Sequence, residues 1–201
     1  MTAADLLERV EFFRTDATRR LNPAHRSEMG QFITPVPVAR LMASMFAQRP
    51  PVLRVLDAGA GVGSLSAALV AQVCQWVKPP KELSVVAYEV EPVLVEYLLN
   101  TFDECAALCR RSGMRFTGEV RAEDFIAAGA GTLQGRELFP GDRPAFNAAI
   151  LNPPYRKISS DSDSRRLLRA AGIETSNLYA AFVWLAQQMR GLDAMLPYHF
   201  N

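Results

Sequence analysis

Val52-Leu-Arg-Val-Leu56 runs into Asp57-Ala-Gly-Ala-Gly-Val-Gly63, and residues 64–77 continue as an apolar helical stretch. An apolar run, a glycine turn and a helix make one strand–turn–helix unit. Glycines at such a turn let the backbone bend sharply and approach a ligand closely. The unit then recurs. Leu83–Glu89, Met114–Val120 and Phe146–Leu151 read as further strands, with Pro92–Arg111 as a helix and residues 121–144 as short helix and loop. Strand and helix alternate throughout, the pattern of an α/β protein with a mostly parallel sheet and helices on both faces. Ligands of such sheets bind beyond the carboxyl ends of the strands, near the switch in strand order.

Outside this core, residues 4–20 read as a helix with Leu6, Leu7, Val10, Phe13 and Ala17 on one face. Residues 22–34 read as a linker. Thr34-Pro35 reads as a helix start, Thr as cap and Pro in the first turn, continuing to about Gln48. Residues 156–175, polar and charged, read as a mobile loop, and Ser176–Arg190 as a last helix.

Asn152-Pro153-Pro154-Tyr155 closes the fourth strand and carries the chemistry. An exocyclic amine conjugated into its ring is a poor nucleophile. The Asn152 side-chain oxygen and the carbonyl between the prolines can both accept from such an NH2, which returns electron density to the nitrogen. Tyr155 can stack on the ring. Three acids stand at the other strand ends. Asp57 opens the glycine turn, Glu89 can accept both hydroxyls of a ribose, and Asp124 can accept from an amine with Phe125 packed on its ring. Thr34 and the free N–H groups of its helix can hold a carboxylate. Each residue also has a plain reading: strand-end turn, exposed acid, helix N-cap and helix cap.

The 201 residues suit one α/β domain with a proper core, and 49% apolar content is ordinary. No run is apolar enough to span a bilayer, and the first residues, amphipathic and acidic, do not read as a signal peptide. Cys74, Cys105 and Cys109 have no CxxC spacing and read as reduced thiols of a cytoplasmic protein. His25 and His199 lie far apart in sequence, so no metal site is expected. The net charge of +1 is uneven. Arg14, Arg19, Arg20, His25 and Arg26 form one cluster. Arg156, Lys157, Arg165, Arg166 and Arg169 form another, flanking the proposed site as a phosphate-backbone partner requires.

In order, Gly30-Gln-Phe-Ile-Thr-Pro35, Leu56-Asp-Ala-Gly-Ala-Gly-Val-Gly63, Tyr88-Glu-Val-Glu-Pro92, Glu123-Asp-Phe125 and Asn152-Pro-Pro-Tyr155 resemble the motifs of the γ-type, Taq-like adenine-N6 DNA methyltransferases of restriction–modification systems. Ser176-Asn177-Leu178-Tyr179 resembles the helix start that follows their catalytic loop. The resemblance covers roughly residues 28–190 and implies a Rossmann-like S-adenosylmethionine-dependent methyltransferase fold. It implies that Thr34, Asp57, Gly59, Gly61, Glu89, Asp124 and Phe125 hold S-adenosylmethionine. Asn152, Pro153, Pro154 and Tyr155 would hold an adenine flipped from double-stranded DNA. Arg156, Lys157, Arg165 and Arg166 would contact the DNA, with no metal and no membrane involved. Residues 1–27 then form an N-terminal helical segment and residues 28–201 a partial catalytic domain. That domain is expected to be incomplete at its C-terminus and to lack a target-recognition domain, which a partner subunit would supply. Asn147 stands where family members tend to have Asp. A glutamine side chain or an RNA base as acceptor, a non-catalytic binder of the cofactor, and a nicotinamide-dependent dehydrogenase are the competing readings.

Overall fold

The computed structural model describes residues 1–22, 32–47, 50–134 and 146–189. Four parallel strands form one sheet: β1 (Val52–Ala58), β2 (Glu82–Tyr88), β3 (Arg115–Arg121) and β4 (Ala148–Ala149), in the order β3-β2-β1-β4. The chain winds outward from β1 to β3, then crosses back to lay β4 on the other side of β1. The switch in strand order therefore falls between the carboxyl ends of β1 and β4.

Alternation along the strands divides the core in two. Leu53, Val55, Leu83, Val85, Ala87, Ala148 and Ile150 face α1 (Ala3–Arg20), α2 (Val36–Ser44), α3 (Ser64–Val73) and α4 (Pro92–Arg111). Leu56, Ala58, Val86 and Tyr88 face α5 (Phe125–Leu133), α6 (Asp163–Ala170) and α7 (Leu178–Met189). A period of two along a strand puts successive side chains on opposite faces, so two helical layers are needed to cover them. α1 joins the first core through Leu6, Leu7, Val10 and Ala17. Among the described residues, no helix is long and apolar enough to cross a membrane.

The turn between β1 and α3 is built around Gly63, which has φ +84°. A β-carbon there would lie 2.8 Å from Leu98 and 3.0 Å from Thr101 of α4. Thr101 also donates its hydroxyl to the Val62 carbonyl at 2.7 Å. Gly63 is therefore a packing requirement of the α3–α4 seam.

Three expectations are corrected. Residues 156–175 contain α6, capped by the Ser162 hydroxyl accepting from the Arg165 N–H. Leu168 and Ile173 anchor this segment in the second core, and Arg165 and Arg169 both bridge to Glu174 at 3.0 Å. The fourth strand contracts to Ala148–Ala149, because the Asn147 side chain takes over neighbouring positions of the ladder. Its oxygen accepts from the Arg54 N–H and its NH2 donates to the Val52 carbonyl, both at 2.8 Å. An Asp at that position could not make the second bond. Helix α2 is capped by Pro35 rather than Thr34 and ends at Ser44, short of Gln48. His25, Arg26, Gly30, Gln31, Gln48 and His199 lie outside the described residues.

Candidate active site

One cleft opens at the switch between β1 and β4. It spans about 770 Å³ when the open solvent at its mouth is included. Gly59, Gly61, Glu89, Asp124, Phe125, Asn152 and Pro154 line it, so part of the predicted cofactor set and part of the predicted catalytic set share one cleft, while Thr34, Asp57, Pro153 and Tyr155 are not among its lining residues.

The glycine turn spends its donors on the protein. The N–H groups of Gly59 and Ala60 both donate to the Tyr88 carbonyl at 2.9 Å, and that of Gly63 to the Ala60 carbonyl at 2.9 Å. Gly61, at φ +61°, donates to Glu89 Oε2 at 2.8 Å. Asp57 sits behind the turn, fully buried, and accepts from the Ser66 hydroxyl at 2.5 Å. Ser66, a polar residue in the first turn of an otherwise apolar helix, was the sequence signal for this bond. Asp57 thereby meets the first turn of α3, whose amino end carries partial positive charge. A phosphate cradle needs free N–H groups at such a turn. With those of Gly59, Ala60, Gly61 and Gly63 engaged, the turn suits a dinucleotide poorly, which weakens the observation that favoured a dehydrogenase.

Glu89 is 5% exposed, which excludes the plain reading of an acid on the surface. Its Oε1 accepts from the N–H groups of Val90 and Glu91 at 2.9 Å. With Oε2 bonded to Gly61 alone, acceptor capacity remains for a ligand hydroxyl. Burial raises the pKa of Glu89 against these three backbone bonds. Asp57 is pushed up to about 7, by burial first, with the charge of Glu89 adding and the bonds from Ser66 opposing. Its second oxygen, Oδ1, is buried with no hydrogen-bond partner.

Asp124 is the N-cap of α5, its Oδ1 accepting from the Ile126 and Ala127 N–H groups at 2.7 and 3.0 Å. The capping role and the cleft position coexist, because these bonds use one carboxylate oxygen. Phe125 is buried between Tyr88 and Phe182, each with its ring centre 5.1 Å away. Glu123, Tyr88 and Phe182 also line the cleft and were not singled out as site residues from sequence. Their signal lay in the same segments, at a strand end, beside Asp124 and on the face of the last helix.

Asn152 lines the same cleft as Glu89 and is held at both ends of its amide. Its Nδ2 donates to Thr34 Oγ1 at 3.1 Å, and its Oδ1 accepts from the Tyr155 hydroxyl at 3.1 Å. The ledge is stiffened from below, since Ile158 donates to the Ser176 carbonyl at 2.8 Å and Leu178 to the Arg156 carbonyl at 3.1 Å. Pro153 is buried. Tyr155 is 59% exposed and stacks on Tyr179, ring centres 5.4 Å apart and planes 23° apart. One face of Tyr155 is thus taken, and a flat ligand has the other face or the place of Tyr179.

The start of α2 differs from expectation. Pro35 and Pro37 have no N–H, Val36 donates to Glu11 at 3.2 Å, and Val38 and Ala39 donate to the Pro35 carbonyl at 3.0 Å. The first helical donors are thus engaged, so this helix end offers no set of free N–H groups to a ligand carboxylate. Thr34 keeps only its hydroxyl for that role, and is 8% exposed.

The basic residues separate. Arg156 lines the cleft. Lys157 pairs with Asn177 through a backbone bridge. Arg166 is exposed and ion-paired to Asp163. Arg165 turns inward, its side chain 14% exposed and bonded to Glu174, which suits it to holding α6 rather than meeting a phosphate. Of the first cluster, Arg14 is bonded to Glu11, and Arg20 to Glu96 and Tyr97.

No protein-family model matches the chain. It is 38% identical over 177 residues to the Type II methyltransferase M.PstI of Providencia stuartii, covering 88% of this chain and 34% of that protein. It is 39% identical over 182 residues to the Type II methyltransferase M.BsuBI of Bacillus subtilis, covering 90% of this chain and 34% of that one. The chain thus spans about a third of the length of these relatives. The crystal structure of a protein from Listeria monocytogenes, described as a class I S-adenosylmethionine-dependent methyltransferase, superposes with a TM-score of 0.60 at 11% identity. That match covers 95% of this chain and 51% of the other, and speaks to the fold alone. The chain is a relative of the Type II methyltransferases, aligned with about a third of their length, and has the class I S-adenosylmethionine-dependent methyltransferase fold.

Proposed function

We propose that this chain transfers a methyl group from S-adenosylmethionine to the exocyclic amino group of adenine in double-stranded DNA. The observation that carries the reading is the shared cleft. The Asn152 amide lines the same cleft as Glu89 and Asp124, so an amine acceptor and a nucleoside-bearing donor have adjoining places.

The residues fit the cofactor. Glu89 has lone pairs left for ribose hydroxyls, and the oxygen of Asp124 that does not cap α5 is free of those bonds. Asp57 Oδ1 is an orphaned buried acceptor behind the glycine turn. Acidic and hydroxyl groups dominate the polar lining, which suits a cation rather than an anion. When bound, S-adenosylmethionine supplies a methyl group on a sulfonium, already electrophilic.

The chain then supplies position. Asn152 Oδ1 and the Pro153 carbonyl accept from the amine, directing its lone pair outward, and Tyr155 stacks on the base. No base is required before attack, because the proton leaves after the nitrogen has become cationic. Alignment of nitrogen and methyl is the main contribution, a proximity effect that can be worth ~7–11 kcal/mol. Oδ1 carries one bond, from Tyr155, and has a second lone pair for the amine.

Arg156 lines the cleft and would meet the strand at its mouth. Phosphate contacts position and base contacts specify, so a phosphate contact at Arg156 would by itself read no target sequence. M.PstI and M.BsuBI are named as Type II methyltransferases, which favours DNA as substrate. The test is competitive incorporation of labelled methyl into duplex DNA, RNA and a glutamine-bearing protein, with calorimetry of S-adenosylmethionine beside it. Label in duplex adenine is expected. Label in RNA or protein instead would move the assignment, and cofactor binding without any transfer would leave a binder.

A further inference from the structure

We propose that Thr34 is the positioning residue for Asn152: its hydroxyl holds the amide so that Oδ1 rather than Nδ2 faces the acceptor amine. The inference rests on the reading of Asn152 as the group that receives that amine. A carboxamide is nearly symmetric in shape and opposite in polarity at its two ends. Only one of its two orientations can help an incoming NH2. Turned over, it would present a donor to a donor, lose the hydrogen bond and leave the amine lone pair in its ring. Something must therefore fix the rotation about the last side-chain bond of Asn152.

Two hydroxyls contact this amide. Thr34 Oγ1 lies 3.1 Å from Nδ2, and the Tyr155 hydroxyl lies 3.1 Å from Oδ1. They are not equivalent. A phenol oxygen shares its lone pair with its ring, so it donates well and accepts poorly. An aliphatic hydroxyl accepts well. The pairing of Nδ2 to Thr34 and Oδ1 to Tyr155 is the one that suits both.

The two anchors also differ in permanence. Thr34 is 8% exposed and is fixed by the proline-flanked start of α2, whose first free N–H is tied to Glu11. Tyr155 is 59% exposed, so solvent and an incoming base compete for its hydroxyl and ring. Thr34 is then the contact that keeps the amide from turning over during the reaction. Its other assignment, a contact to the carboxylate of the cofactor, lacks the flanking N–H groups that would support it, as described above.

The two roles separate in measurement. Thr34→Val keeps the shape and removes the acceptor, and Thr34→Ser keeps the acceptor. Single-turnover methylation of an adenine-containing duplex at saturating S-adenosylmethionine is expected to slow roughly tenfold in Thr34→Val, about 1.4 kcal/mol, the scale of one lost hydrogen bond. Thr34→Ser is expected to stay within about threefold of the parent, and the calorimetric Kd for S-adenosylmethionine to move less than about threefold in both. A Thr34→Val variant with the parent rate at saturation and a Kd raised tenfold or more, about 1.4 kcal/mol, would overturn the proposal in favour of a cofactor contact.

A second readout needs no turnover, so it still decides if the parent chain transfers no methyl and the proposed function itself fails. The Asn152 side-chain amide signals in a nitrogen-15 spectrum are identified by their loss in Asn152→Ala. In Thr34→Val their hydrogen exchange is expected to quicken several-fold while the backbone amide signals of the sheet keep their positions. Unchanged exchange would overturn the proposal.

Discussion

Asp57 is a residue whose charge state the fold controls strongly. Burial raises its pKa to about 7 from an ordinary value of 3.8. A raised folded value means the folded chain binds the proton more tightly than the unfolded chain. The stabilisation is complete below about 3.8 and is lost as pH rises through about 7. Denaturant unfolding from pH 5 to pH 8 is therefore expected to show stability falling by on the order of a few kcal/mol, with Asp57→Asn flattening the profile. A parent profile as flat as that of Asp57→Asn would contradict this account of the buried carboxyl. At the same scale, Asn147 is a structural residue that stands where a carboxylate would lose one of two bonds to β1. Nothing in the composition around it signals that role.

At the scale of elements, the turn after β1 offers a sharp contrast between two glycines. Gly63 has both a left-handed φ and a β-carbon space blocked at 2.8 Å, whereas Gly113, at φ +71°, has nothing within 4 Å of that space. Gly63→Ala is expected to cost about 2–4 kcal/mol, combining left-handed strain with overpacking, against about 1–2 kcal/mol for Gly113→Ala. Equal losses in thermal or urea unfolding would sink the packing argument. Much of this architecture was legible in the sequence. The bounds of α4 could be read because Pro92 opens it and Gly113 lies just beyond it. The sheet could be read because apolar runs alternate with helical periodicity. Helix α6 was hidden, since charged and polar residues at most positions of residues 156–175 mask its apolar anchors, among them Leu168 and Ile173. The start of α2 was misread because a Thr before a Pro looks like a cap. Its hydroxyl is instead bonded to a residue 118 positions away, a contact no local pattern announces. That Glu89 and Asp124 meet at one cleft follows from strand order, which puts the end of β2 beside that of β1 and the end of β3 beside that of β2.

Over the whole molecule, the sheet gathers four segments into one cleft and leaves the basic residues in unequal surroundings. Arg156→Ala is expected to weaken duplex binding and reduce its salt dependence, with stability within about 0.5 kcal/mol of the parent. Arg165→Ala is expected to do the reverse, lowering stability by about 1–3 kcal/mol, because Glu174 loses one of its two partners. Filter binding over a salt series, with melting curves alongside, separates the two. If Arg165→Ala proved the stronger DNA defect at unchanged stability, the placement of the basic rim would be wrong. The central claim joins both halves of the cleft: the ledge at Asn152 receives the amine of adenine beside a methyl donor held near Glu89. Mass spectrometry of adenine recovered from duplex DNA, after incubation with the chain and methyl-labelled S-adenosylmethionine, addresses it most directly. The expected result is label on the exocyclic nitrogen, reduced at least ~100-fold in Asn152→Ala. Label on another atom, or undiminished transfer by Asn152→Ala, would contradict it.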